Sequence, residues 1–395
     1  MTHSLRPCRS LALSLLIYSA VLGMSATSNI ANAAEDYLVY VGTYTRGSES
    51  KGIYTLRLNM KTGSLKQIAV AEGVDNPSFV AIHPSNKFLY AVGEISEFKG
   101  ETAGGVAAFA INPKDGSLTK LNEKSSGGAG PCHLVVDATG KNVLVANYGG
   151  GSVACLPINA DGTLEDASSF IQHEGSSIDE RRQKGPHGHS INVSPDNKFA
   201  FAADLGLDKI LIYALDAKTG QLTPNKPAAV KVKPGSGPRH FAFHPTGKYA
   251  YVINEMTLTV TAFKYNAKRG RLKTLQTIST IPDDDRDQKG LSTAEIRVHP
   301  SGKFLYGSNR GHDTIVAFSI NQVTGELTYI ENESTQGKTP RNFFIDPTGT
   351  YLLAENQSSN SIVVLRINQD TGELESTGNS IEIPSPVCIR MIPAP

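Results

Sequence analysis

Histidines, arginines and glutamates stand at the ends of short apolar segments in this chain, where a fold could gather them. GPHGHS sets His187 and His189 two residues apart, and GPRHFAFHPTGKYAYVINE opens on Arg239 and His240 and closes on Glu255. AEIRVHPSGKFLYGSNR brings Glu295 near its start and Arg310 at its end, and TPRN carries Arg341. Arginine is permanently charged and forked, so three of them favour a ligand bearing carboxylate or phosphate, or an oxyanion formed during reaction. A histidine near a glutamate suits a general base acting on water, or a general acid. The motif alone leaves open which of His187 and His189 would act. Both with Glu295 also make a metal reading conceivable, but a two-residue histidine spacing on a strand is weakly specific and no metal is expected.

These residues need elements that bring them together, and the chain supplies a repeat. An apolar strand, a tight turn and a Leu recur seven times, as in GIYTLRLNMKTGSL and SIVVLRINQDTGEL, with turn glycines Gly63, Gly116, Gly162, Gly220, Gly270, Gly325 and Gly372 about 50 residues apart. Each copy reads as a β-hairpin. Between the hairpins lie six copies of a second pattern: an extended segment, an HP or DP turn, and a strand rich in Tyr, Leu, Val and Ala. The missing seventh pair is split between the termini, Ser385 to Ile392 supplying one strand and Tyr37 to Tyr44 the other. A closed ring needs such complementary halves, because one blade built from both ends leaves no exposed edge. The expected fold is therefore all-β, a single seven-bladed β-propeller over residues 34–395, closed by pairing of N- and C-terminal strands in one blade.

Seven copies let the chain serve as its own control. Nine residues after each turn Pro or its equivalent come Gly93, Asn147, Asp204, Asn254, Asn309 and Asn356, a row suited to ending strands. The next row is Glu94, Tyr148, Leu205, Glu255, Arg310 and Gln357, and nothing in the fold demands that mixture. The starts of the first strands diverge too: Ser78, Cys132, His189, Arg239, Ala294, Arg341 and Val387. In a propeller the first strand lines the central channel and the loop after the second opens at the same end, so both rows should meet at one mouth. His83, His244 and His299 recur in the HP turns and read as structural.

The totals narrow the function classes. Residues 1–33 combine Arg6 and Arg9, an apolar run from Leu11 to Leu22 and Ala31-Asn32-Ala33, the pattern of a cleavable export signal. That segment has no acid, so its removal takes the formal +1 of the whole chain to −1, and nothing global attracts nucleic acid or anionic lipid. No membrane association is expected after cleavage; the expected location is periplasmic or secreted, and the sequence leaves the oligomeric state open. Cys132, Cys155 and Cys388 are too few and too irregular for a disulfide framework and read as core residues. G-x-S-x-G, P-loop and H-E-x-x-H motifs are absent, and Asp283 to Asp287 lacks the Gly and terminal Glu of an EF-hand loop.

The segments VGTYT (41–45), ANYGGGSV (146–153), GPHGHSINVSPD (185–196), the Gly237 to Glu255 stretch, AEIRVHPSGKFLYGSNRGHD (294–313) and TPRNFFIDPTG (339–349) carry a resemblance. The chain resembles the seven-bladed propeller lactonases of the 6-phosphogluconolactonase type, related to carboxymuconate-lactonizing enzymes. The resemblance implies hydrolysis of a sugar lactone, phosphorylated or not, without a cofactor. It places the active constellation on His187 or His189 with Arg239, Glu255 and Arg310, and an anionic lactone or sugar acid as the ligand. His240, Glu295, Arg341 and Asn147 complete the candidate set as substrate contacts. Lactone formation from an unsaturated dicarboxylate, or binding without chemistry in the cell envelope, are the other readings.

Overall fold

The computed structural model describes residues 1–4 and 35–395. Apart from its first four residues, the segment expected to be a leader lies outside the described residues. Among the described residues no helix is long and apolar enough to cross a membrane.

Strands of three to eleven residues, most of them six to nine and rich in Val, Ile, Tyr and Ala, pair into seven antiparallel sheets of four. Blades 1 to 6 span residues 80–125, 131–172, 188–231, 238–279, 292–334 and 340–382. Blade 7 joins Pro386–Pro393 to Asp36–Thr43, Ile53–Asn59 and Leu65–Ala71, so the chain's two ends close one sheet. The inner strands neighbour one another in sequence from blade 1 to blade 7 and back to blade 1, completing the ring. The fold expected from the repeat is the fold observed.

The blades pack face to face, and their second strands are buried on both sides because a neighbouring sheet covers each face. Leu144, Ala146, Val153 and Cys155 of blade 2 meet Ile191, Ala200, Ala202 and Tyr213 of blade 3. Tyr37, Val39 and Leu56 of blade 7 meet Leu353, Ile362 and Val364 of blade 6 across the closure. Cys132, Cys155 and Cys388 are free thiols and buried, as expected.

The repeated residues stitch one blade to the next. His83, His244 and His299 each place Nδ1 on a Ser or Thr two residues on and Nε2 on the turn carbonyl of Gly140, Gly302 or Gly349 in the following blade. Tyr40, Tyr90, Tyr251 and Tyr306 donate their hydroxyls to the carbonyls of the hairpin glycines Gly116, Gly162, Gly325 and Gly372. All seven hairpin glycines have positive φ; at Gly325 (φ 77) a side chain would also strike the Tyr249 ring.

Closure makes a direct prediction. The strand Pro386–Pro393 buries Val387, Cys388, Ile389, Met391 and Ile392, which at about 1.5–3 kcal/mol each is on the order of 10 kcal/mol, comparable with the whole stability of a typical domain. A chain ending before Pro386 is expected to lose its cooperative thermal transition by circular dichroism. A melting midpoint within a few degrees of the full chain would contradict closure as a stabilising device.

Candidate active site

A backbone irregularity builds the site. In each of blades 2 to 7 the inner strand carries one residue more than its partner near its start. The pairing passes from Pro131 to His133, Gly188 to Ser190, Pro238 to His240, Thr293 to Ile296, Pro340 to Asn342 and, in blade 7, past Val387. The extra residues are Cys132, His189, Arg239, Ala294 with Glu295, Arg341 and Val387: from blade 2 to blade 7 the divergent row at the starts of the first strands is a row of β-bulges. A bulge re-aims a side chain that regular alternation would send into the sheet. Because each inner strand runs antiparallel to the second, Pro238 pairs with Asn254, and Glu255 follows at the same end.

Around that mouth, Glu94, Cys132, Tyr148, Arg182, His189, Glu255, Arg310 and Arg341, with Gly290, Leu291 and Ser292, line a cavity of about 510 Å³. Its centre is the Glu255 carboxylate, 5% exposed. Arg182 Nη2 donates to Oε1 at 2.7 Å; Arg239 Nε donates to Oε2 at 3.0 Å; Arg310 Nη2 stands 3.1 Å from Oε2. His189 Nε2 is 3.9 Å from the same oxygen. Arg239, 2% exposed, also donates to the Ala294 carbonyl at 2.7 Å and lies under the cavity floor, lining a small void with His240 and Asn342. Arg310 donates to the Thr293 carbonyl at 2.9 Å, while its buried Nε has no partner.

A second wall contains no such clamp. Arg341 Nη2 donates to the Tyr44 hydroxyl at 3.0 Å and its guanidinium lies over the Tyr44 ring. Tyr44 Oη reaches both Glu94 oxygens at 2.9 and 3.0 Å, and Ser78 Oγ donates to Glu94 Oε2.

The other expected residues lie elsewhere. His187 stacks on the Tyr148 ring with Nδ1 at 3.0 Å from the Tyr148 carbonyl oxygen, behind the tyrosine and not on the cavity wall. His240 and Glu295 sit deeper in the channel, 3.2 Å apart, with Glu295 also held by Asn342 and Arg297. The structure does not bring Asn147 to the cavity: it is fully buried and its amide donates to the Ser126 carbonyl, in the connection before blade 2, and to Ser152 within the blade. Arg182 and Tyr44 were not singled out from sequence. Arg182 belongs to no repeat row, but it lies in residues 173–187, the longest connection between blades, and that length was the available signal. Tyr44 has no such mark, since it extends a strand whose apolar pattern accounts for it.

Electrostatics separate the roles. Burial pushes the Glu255 carboxyl up, but Arg310, Arg239 and Arg182 outweigh it and hold the group at about 2. Burial, with Arg239, His240 and Arg341 around it, drives His189 well below the ordinary 6.5, so its imidazole is neutral at neutral pH. Burial and Arg239 bring Arg310 down to about 9, leaving it charged. Among the described residues no cluster of three His, Cys, Asp or Glu side chains has metal-binding geometry. The arrangement offers a neutral base, fixed cations and a carboxylate to balance them.

Comparison with known proteins shows what the chain as a whole is similar to. A family model for lactonases of the seven-bladed β-propeller type matches residues 38–391. The chain is 39% identical over 356 residues to the 6-phosphogluconolactonase of Bacillus subtilis, covering 90% of this chain and 98% of that protein. It is 37% identical to a 6-phosphogluconolactonase of Formosa agariphila, over 78% of this chain and 86% of the other. The solved structure of the periplasmic gluconolactonase PpgL of Pseudomonas aeruginosa superposes with a TM-score of 0.85 at 33% identity, covering 91% of this chain and 100% of that one.

Deeper along the channel, Glu355 is fully buried with both carboxyl oxygens unpartnered. Burial raises its pKa well above 4.5, against the opposing pull of Arg297 and Arg390 and with Glu295 adding to the rise. The folded protein therefore keeps a proton that the unfolded chain loses. The stability this contributes is complete below the unfolded value and is lost as pH rises through the folded one. Glu355→Gln is expected to melt with the wild type at about pH 4 and above it at about pH 8. Equal midpoints at both would show that Glu355 is ionised in the fold.

Proposed function

Since the chain belongs to the seven-bladed β-propeller lactonase family, we propose that it hydrolyses a sugar lactone of the gluconolactone kind at this mouth. The observation that carries the reading is His189, neutral and 3.9 Å from Glu255, in a cavity lined by the guanidiniums of Arg182, Arg310 and Arg341. His189 takes a proton from water as the water oxygen bonds to the ring carbonyl carbon. The carbonyl oxygen becomes an oxyanion beside Arg310. Collapse breaks the bond to the ring oxygen, which leaves with the proton from His189, giving the open hydroxy acid. Arg239 and Arg341 disfavour an imidazolium on their own, yet negative charge grows on the lactone as the proton moves, so the same cations stabilise the combined state. Glu255 fixes the arginines and balances the imidazolium. It is a poor base itself, with guanidinium groups on both oxygens.

Arg182, whose side chain is 42% exposed at the rim, is the guanidinium placed to meet an anionic substituent such as a phosphate. The leader pattern of residues 1–33 and the likeness to a periplasmic gluconolactonase support action outside the cytoplasm.

The test is the ring-opening rate of δ-gluconolactone and its 6-phosphate, corrected for spontaneous hydrolysis. The chain is expected to accelerate at least one, and His189→Asn to lower kcat about 10²-fold or more with the fold retained. No acceleration of either would overturn the reading, and full activity in His189→Asn would remove that residue from the chemistry. Because the histidine is already neutral, kcat/KM should stay level as pH falls through 6.5 and decline only in more acid solution. An acid limb centred at 6.5 would assign the base to another group.

A further inference from the structure

Two carboxylates line this mouth, and their surroundings differ. Glu255 in blade 4 receives guanidiniums. Glu94, which follows the second strand of blade 1 and so stands across the ring, receives only the neutral hydroxyls of Tyr44 and Ser78 from side chains. It is placed with care. Its backbone N–H bonds to the Asn76 carbonyl and its carbonyl takes the Asn76 amide. Arg341 occupies the acceptor side of the Tyr44 hydroxyl, so that hydroxyl's one proton is directed at Glu94.

A carboxylate has about four acceptor positions, and two hydroxyl protons leave part of that capacity unused. Glu94 lines the cavity without a guanidinium of its own, so the free acceptor capacity suits neutral donors. A ligand rich in hydroxyls meets that requirement, whereas a ligand carboxylate set against Glu94 itself meets like charge, with Arg341 the cation beside it.

We propose that Glu94 determines specificity for a polyhydroxylated lactone, its carboxylate accepting hydrogen bonds from ring hydroxyls while Arg310 and His189 act on the carbonyl. The proposal rests on the lactonase reading and adds to it the residue that reads the rest of the ring. It also separates hydrolysis of a sugar lactone from chemistry on an unsaturated dicarboxylate at the same mouth.

The experiment compares δ-gluconolactone with δ-valerolactone, which has the same ring and no hydroxyls, in the wild type and Glu94→Gln. The variant is expected to raise KM for gluconolactone about tenfold to a hundredfold, the size of a lost charge-assisted hydrogen bond. Its kcat should change little, and valerolactone kinetics should not move. Glu94→Asp, which keeps the charge, should recover part of the loss. Equal losses on both lactones would show that Glu94 only supports the structure and would overturn the proposal. If the wild type opens neither lactone, the lactonase reading fails by itself. Calorimetry of gluconate against hexanoate then decides the present point: a preference for gluconate that Glu94→Gln abolishes supports it, and equal binding of the two acids overturns it.

Discussion

One buried carboxylate holds this mouth together. Glu255 draws Arg239 from its own blade, Arg310 from the next and Arg182 from a connection two blades' inner strands away onto two oxygen atoms. Without it, guanidiniums would crowd a largely desolvated space, where unpaired charge is costly by several kcal/mol. With it, the cations are fixed before any ligand arrives, which is the condition for electrostatic stabilisation without reorganisation. Burial first, and then Arg239 of the same cluster, keep His189 unprotonated, as the proposed base must be.

The propeller makes this possible by separating two kinds of position. Residues that recur from blade to blade, such as the turn histidines and the tyrosines donating to hairpin carbonyls, join neighbouring sheets and bear the load of closure. Residues that differ from blade to blade fall on the bulges and on the first position after the second strands. The bulge turns those side chains into the channel mouth while leaving the rest of each sheet in regular register. Seven blades then deliver unlike groups to one ring: Glu94, Tyr148, His189, Glu255, Arg310, Arg341 and, behind Arg341, Tyr44. The opposite end of the channel opens on a different surface, with Val136, Phe241, Phe243 and Phe344 around Arg297.

Much of this was legible in the sequence because repetition supplies an internal comparison. The blade number and the split blade follow from periodicity, and the two divergent rows meet at one mouth as the propeller geometry led one to expect; that Arg239 and Glu255 pair there as ions is a finding of the structure. What escaped did so for physical reasons. Arg182 reaches the site from a loop that belongs to no repeat row, and a loop's path depends on contacts such as Gln183 to the Leu205 carbonyl that no periodicity encodes. The depth of Arg239 was also hidden, since a charged residue at a strand start reads as exposed unless the bulge beneath it is known. Asn147 shared its row's capping chemistry, and that row proved to serve the blades and not the cavity. The sequence left His187 and His189 open, and it is a bulge that brings His189 to the cavity wall while His187 stacks behind Tyr148.

The central claim is that a lactone carbonyl sits between Arg310 and His189. A crystal structure of the protein with the δ-lactam analogue of gluconolactone tests it most directly. The account predicts the ring in the cavity of blades 1 to 6, its carbonyl oxygen roughly 2.7–3.1 Å from an Arg310 nitrogen and its carbonyl carbon within reach of a water held by His189 Nε2. A lactam bound at the opposite end of the channel, or bound here with its carbonyl turned away from Arg310 and His189, would contradict it.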